Sequence, residues 1–262
     1  MPYVEHNSFH PPSNANAIVW RYIDCKRYLS LLAEEALFFS SLRALRADDP
    51  YEGAMTQADW RYSLRESGVD IAEEWREMSD LFAQLAYVNC WHISNNESMA
   101  MWRLYSSKGD GIAIKSTYGR LRESMRLAQE DIYISDVSYV NYREYVTTRR
   151  NAIDNILLKR DAFKHEKELR AVYLPTSQFL NKRYPGLDEL KDAVGQTGKL
   201  LGHNIKVELK LLMWQVVLSP FAPEWLFQSI QSVTEHYGLL PSIVTKSKLG
   251  GNPRYKIPQS QA

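Results

Sequence analysis

Segments with the two-residue period of strands and segments with the helical period follow one another along this chain without regular strand–helix–strand alternation. That irregular mixture points to an α+β fold rather than a doubly wound parallel sheet. Strands are expected at residues 17–23, at Leu37, Phe38, Phe39 and Ser40, and over 87–93, 112–116, 132–142 and 242–245, where β-branched and aromatic residues concentrate. Asp24 is placed to cap a helix that buries Tyr28, Leu31 and Leu32 and ends near Glu35. Two helical segments between Thr56 and Ala83 break at Ser67-Gly68, and the run from Asp48 to Gly53 has turn chemistry. Ser94 and Glu97 have the spacing of a capping box that opens a helix carrying Met99, Met101, Trp102 and Tyr105. A short amphipathic helix holds Leu121, Met125 and Leu127, another helix is expected over 148–163, and Pro223 starts a last one running to Tyr237.

With 262 residues, 45% of them hydrophobic, the chain can bury one large core. The expected organisation is one domain over 17–250, with a surface insertion at 176–203 and flexible ends at 1–16 and 251–262. Thirty-two basic against thirty-one acidic residues leave no global field for nucleic acid or membrane. Cys25 and Cys90 stand far apart, which fits a reducing cytoplasm and no structural zinc, and no long apolar run indicates a membrane span. No glycine-rich dinucleotide fingerprint, P-loop or nucleophile elbow occurs.

The stretch richest in chemistry is residues 164–170. As part of a strand over 165–174, it would put Glu166, Glu168 and Arg170 on one face and His165, Lys167, Leu169 and Tyr173 on the other. As a continuation of the preceding helix, it would instead make Lys164/Glu168 and Glu166/Arg170 ordinary surface ion pairs. Elsewhere, Cys90 and His92 share a strand face without a third catalytic partner, Trp102 and Tyr105 are adjacent on a helix, and Asp49 and Glu52 fit a metal site, although two carboxylates in one turn are far more often a turn and a helix start.

Trp20-Arg21-Tyr22, Phe39-Ser40-Ser41, Asp49-Pro50-Tyr51-Glu52, Cys90-Trp91-His92, Met101-Trp102 with Tyr105, Gly111-Ile112-Ala113-Ile114, and Lys159/Lys164 with Glu166, Glu168 and Arg170 follow in an order that resembles the bacterial family of domain of unknown function 2971, over about residues 18–220. More distantly, the pattern is similar to ADP-ribosyltransferases, which implies a mixed, largely antiparallel sheet flanked by helices. The likeness implies NAD as substrate with no metal, an early-strand Arg21 and Tyr22, Ser40 or Ser116-Thr117 as the middle element, Trp102 or Tyr105 against the nicotinamide, and Arg170 in the binding set. It further implies Glu168 as the group that stabilises the oxocarbenium-like charge and Glu166 as the one that orients the acceptor or takes its proton. The acceptor, protein or nucleic acid, is open, as is a homo-oligomer or partner protein, and toxin or phage-defence biology is the expected setting. Two other classes stand beside this one: a metal-dependent nuclease using Asp49, Lys164, Glu166 and Glu168, and a non-enzymatic ligand-sensing or antitoxin-like binding protein.

Overall fold

The structure is a computed structural model that describes residues 3–105, 109–147, 151–175, 186–197 and 200–251. Its elements follow the residue chemistry closely in the first half. Strand β1 (Ile18–Asp24) ends on Asp24, whose carboxylate accepts from the Arg27 N–H and starts α1 (Cys25–Glu34). Strand β2 (Ala36–Ser41) follows after Glu35 turns the chain in the left-handed region, and Ser41 caps the short α2 (Leu42–Leu45). Helices α3 (Gln57–Ser67) and α4 (Val69–Leu85) are separated at Gly68, whose φ of 83° suits a residue without a Cβ. Then come β3 (Tyr87–Ile93), α5 (Met99–Tyr105), β4 (Gly111–Thr117), α6 (Tyr118–Ser124), β5 (Ile132–Asp136), β6 (Ser138–Val140), β7 (Leu158–Arg160) and β8 (Glu168–Tyr173). The chain continues through α7 (Leu187–Thr197), β9 (Gly202–Lys206), α8 (Leu209–Leu212), β10 (Gln215–Leu218), α9 (Glu224–His236) and β11 (Val244–Lys246).

Nine strands form one mixed sheet in the order β11-β10-β4-β1-β3-β2-β9, with β8 also joined to β3 and β5 to β8. Every pairing in it is antiparallel except β10 with β11, while β6 and β7 make a separate parallel pair. Helices pack on it, and the expected α+β class holds. Among the described residues, no helix is long and apolar enough to cross a membrane.

How β3 is shared creates the functional geometry. Strand β8 pairs along β3 from Tyr87 to His92, so β1 and β2 must divide what remains. β1 meets it only at Val19↔Ile93 and Trp20↔His92, and β2 only at Ser40↔Val88 and Ser41↔Tyr87. Between these contacts the sheet is split around residues 89–91. Side chains bridge the gap: Arg21 Nη1 donates to the Cys90 carbonyl at 2.8 Å, and Asn89 Nδ2 donates to the Phe38 carbonyl at 2.9 Å. Such bonds satisfy backbone carbonyls that no strand partner reaches.

Alternation along the strands divides the core. Val19 and Ile23 join a large cluster with Leu31, Leu37, Trp91, Ile114 and Leu169, whereas Trp20 and Tyr22 pack with Met101 and Trp102 under α5. A third cluster joins Val88 and Val172 to α4 through Leu81, Phe82 and Leu85.

Several sequence expectations are corrected. The helix expected over 148–163 does not form in its described part, 151–163, residues 148–150 lying outside the described residues: Asp154–Leu157 is a 3₁₀ turn, Leu158–Arg160 is a strand, and Asp161–Glu166 is a second 3₁₀ turn. The strand over 165–174 begins only at Glu168, because Lys167 takes a left-handed conformation (φ 41°) and reverses the chain. The strand over 132–142 is interrupted at Val137: its N–H still bonds the Glu168 carbonyl in the β5–β8 register, and Ser138–Val140 then turn away to pair with β7. The Ser94/Glu97 capping box is absent. Ser98 instead accepts from the Met101 N–H, and Glu97 accepts from Trp102 Nε1 and the Ser247 hydroxyl. Leu127 lies beyond its short helix and is exposed. Within 176–203, Leu190 and Ala193 of α7 are buried in the α4 cluster, so this part of the segment contributes core.

Candidate functional site

A cavity of about 460 Å³ opens at the split in the sheet. Its walls come from both sheet faces: Leu31, Leu37 and Trp91 belong to the large cluster, Trp20, Tyr22 and Met101 to the cluster under α5. At one side the wall is charged.

That charged wall is a buried ion cluster built from three separate segments. Lys159, on β7, lies 2.5 Å from Glu166, 3.1 Å from Glu168 and 3.4 Å from Glu52. Arg170, fully buried on β8, donates through Nε to Glu168 at 2.6 Å, through Nη1 to the Ile156 carbonyl at 2.6 Å, and through Nη2 to both Glu52 oxygens at 2.9 and 3.0 Å. Beside it, Arg160 pairs with the buried Asp49 at 2.7 Å and lies over the Tyr51 ring. Buried charges persist only when paired and hydrogen-bonded, and here each has such partners. The inner cluster nevertheless carries three carboxylates against two cations, a net charge of −1.

Local structure explains the convergence. Glu168 and Arg170 share a strand face, as period two requires. Glu166 reaches the same point from the 3₁₀ turn, held by His92, whose Nδ1–H donates to the Glu166 carbonyl at 2.6 Å; a carbonyl can only accept, so Nδ1 carries the proton. Tyr139 accepts from the Glu168 N–H at 2.8 Å. Glu52 is delivered by the turn that closes on Gly53 (φ 67°), where an added Cβ would lie 2.7 Å from the Ala83 Cβ.

Burial pushes the Glu168 carboxyl up, but Arg170 and Lys159 more than offset this and hold it at about 2. Burial raises Glu166 despite Lys159, and lowers His92, which keeps the imidazole neutral. Burial also pushes up the Cys90 thiol, with the Glu168 carboxylate adding to the shift. The Lys159 ammonium is opposed by burial, yet Glu168, Glu52 and Glu166 raise it overall.

Arg21 lines the same cavity, with its guanidinium on the Cys90 carbonyl. Among the described residues no carboxylate lies within ion-pair reach of it, and burial lowers its pKa. Alternation directs Arg21 away from Trp20 and Tyr22, but at the split its guanidinium still lines the same cavity as Glu168.

The structure thus brings together Arg21, Tyr22, Ser40, Tyr105, Glu166 and Glu168 in one lining, with Cys90 and His92. Trp102 is fully buried behind Tyr22 and is not part of the lining. Arg170 lies behind Glu168, likewise outside it. Ser116 is buried with its hydroxyl on the Leu212 carbonyl, and Thr117 caps α6, so neither reaches the cavity. Lys164 is exposed, and the cluster lysine is Lys159. From the sequence Glu52 reads only as a turn or metal-site residue, and Lys159 and Tyr139 have no role; the signal for Glu52 and Lys159 in the cluster is their place in the motif order. No family model matches the chain and no curated protein matches it.

Proposed function

We propose that this protein binds NAD in the split-sheet cavity and cleaves its nicotinamide–ribose bond, passing ADP-ribose to an acceptor or to water. The observation that carries this reading is the charge content of one cavity lining: Arg21, a guanidinium with no carboxylate in ion-pair reach among the described residues, together with a carboxylate-rich cluster. NAD carries the two complementary charges, an anionic pyrophosphate and a cationic nicotinamide ring. The volume is within the range of small-molecule sites.

In this reading, Arg21 faces the pyrophosphate, and Tyr22 and Tyr105 wall the ring. The C–N bond breaks with its electron pair leaving on nicotinamide, and the ribosyl cation develops beside the cluster that is net negative. Glu168 stays ionised through neutral pH. Glu166 has the higher proton affinity and takes the proton of the incoming hydroxyl as its oxygen bonds the ribose carbon. Free Cys25 and Cys90 suit a cytoplasmic setting.

One observation favours a second reading, a binding protein without turnover. Both Glu168 oxygens are engaged, Oε1 by Arg170 and Oε2 by Lys159 and Arg170, as a purely structural carboxylate would be. The nuclease reading has less support, because the carboxylates converge on the Lys159 ammonium. The test is thermal stability and nicotinamide release with NAD. We expect NAD to raise the melting temperature, Arg21→Ala to weaken that rise, and Glu166→Gln to lower release roughly a hundredfold. Binding without release would leave the sensor reading, and no binding would end both.

A further inference from the structure

A second cavity, of about 250 Å³, shares no lining residue with the first. Helix α3 contributes Asp59 and Ser63, α4 contributes Trp75 and Ser79, and the chain beyond β6 contributes Thr147 and Asn155. Among the described residues its lining holds no Lys, Arg or His.

Asp59 is 6% exposed, and its partners are neutral. Oδ1 accepts from the Thr147 N–H at 2.9 Å. Oδ2 depends on the Thr56 hydroxyl at 2.9 Å, but that hydroxyl has a single proton and also lies 2.7 Å from the Tyr145 carbonyl. No cation among the described residues is within ion-pair reach of this carboxylate, although buried carboxylates are ordinarily paired. Its lone pairs are under-used.

Asn155 supplies the independent observation. It is 4% exposed, and its Oδ1 has no hydrogen-bond partner. The amide orientation is fixed by its neighbour: Ser79 donates its proton to the Trp75 carbonyl at 3.0 Å, so Ser79 Oγ can only accept from Asn155 Nδ2, at 2.9 Å. Flipping the amide would set two acceptors against each other. A buried acceptor left without a donor costs on the order of 1–3 kcal/mol, which an occupant bearing donors would recover. The cavity is several times the ~30 Å³ share of one water, so it has room for more than a bridging solvent molecule.

We propose that this cavity binds a small organic cation, recognised through a primary ammonium or guanidinium group that neutralises Asp59 and donates to Asn155 Oδ1. The site is independent of the NAD reading. Agmatine, which carries both groups, is the probe, measured by titration calorimetry and thermal shift on the full chain. We expect saturable binding and a raised melting temperature, with Asp59→Asn weakening affinity at least about tenfold, as expected for loss of a charge-assisted contact. Because Asp59 also helps cap α3, that variant can fail to fold. Ser63→Phe fills the cavity from a half-buried position without touching Asp59 or Asn155, and it should abolish binding in a folded protein. Absence of saturable agmatine binding to the wild type would overturn the proposal. So would affinity unchanged by Ser63→Phe, or equal affinity for the neutral analogue butylurea.

Discussion

Replacing Lys159 by Met tests the ion cluster most directly. The substitution keeps the length of the side chain and removes the ammonium that lies within 3.4 Å of Glu52, Glu166 and Glu168. Three carboxylates then face Arg170 alone, and the local charge goes from −1 to −2. Breaking a buried ion pair costs about 3–5 kcal/mol, because the partner charge stays desolvated. The lower end applies here, since Glu166 keeps 17% side-chain exposure and can turn towards water. A loss of about 3 kcal/mol is a large share of a typical stability. For a chain of this size it corresponds to a melting temperature lower by about 6–12 °C. Two further measurements separate charge from packing. In Lys159→Met/Glu166→Gln the charge returns to −1, so urea unfolding should recover at least about 1 kcal/mol of the loss, the coupling expected of contacting groups. The deficit should also shrink as pH falls, because without the ammonium the carboxyls bind protons more readily and protonation removes the repulsion. A Lys159→Met protein within about 0.5 kcal/mol of wild type, the range of ordinary surface changes, would refute the account, as would a double variant no more stable than the single one.

Glu168→Gln should unfold at a lower temperature as well as lose activity, since it takes a charge from both Lys159 and Arg170. Glu166→Gln, at the cavity edge, should leave the melting temperature within a few degrees, so comparing the two by calorimetry and nicotinamide release separates architecture from chemistry. Acid should destabilise the fold in a defined window. Glu168 is depressed from 4.5 to about 2, so its contribution is full above the unfolded value and is lost as pH falls from about 4.5 towards 2. The lowered pKa of His92 adds a loss beginning below its ordinary 6.5, whereas the raised carboxyl of Glu166 works in the opposite sense, and a pH series of urea midpoints reads the sum. Gly53→Ala combines a positive φ with an intruding Cβ and should cost about 1–3 kcal/mol in the same assay, with the Glu52 end of the cluster disturbed.

The sequence alone determined the elements whose signals are local. The Asp24 cap, the break at Gly68, the β-branched and aromatic runs of strands β1 to β4 and the amphipathic last helix are set by residues within one turn or one strand of each other. The α+β class followed from their order. Tertiary structure decided the rest. Residues 154–166 carry helix-compatible polar and apolar spacing, yet they become turns and a short strand because Lys159 must reach Glu52, from more than a hundred residues earlier, and Arg170 must bond the Ile156 carbonyl. Propensity is worth tenths of a kcal/mol per residue, and a buried charge left unpaired costs several, so the distant pairing wins. The sequence likewise proposed Glu166, Glu168 and Arg21 as one site but could not say that Arg170 and Trp102 stand behind it. Which side chains line a cavity depends on how β1 and β2 part along β3, and that split has no signature within either strand.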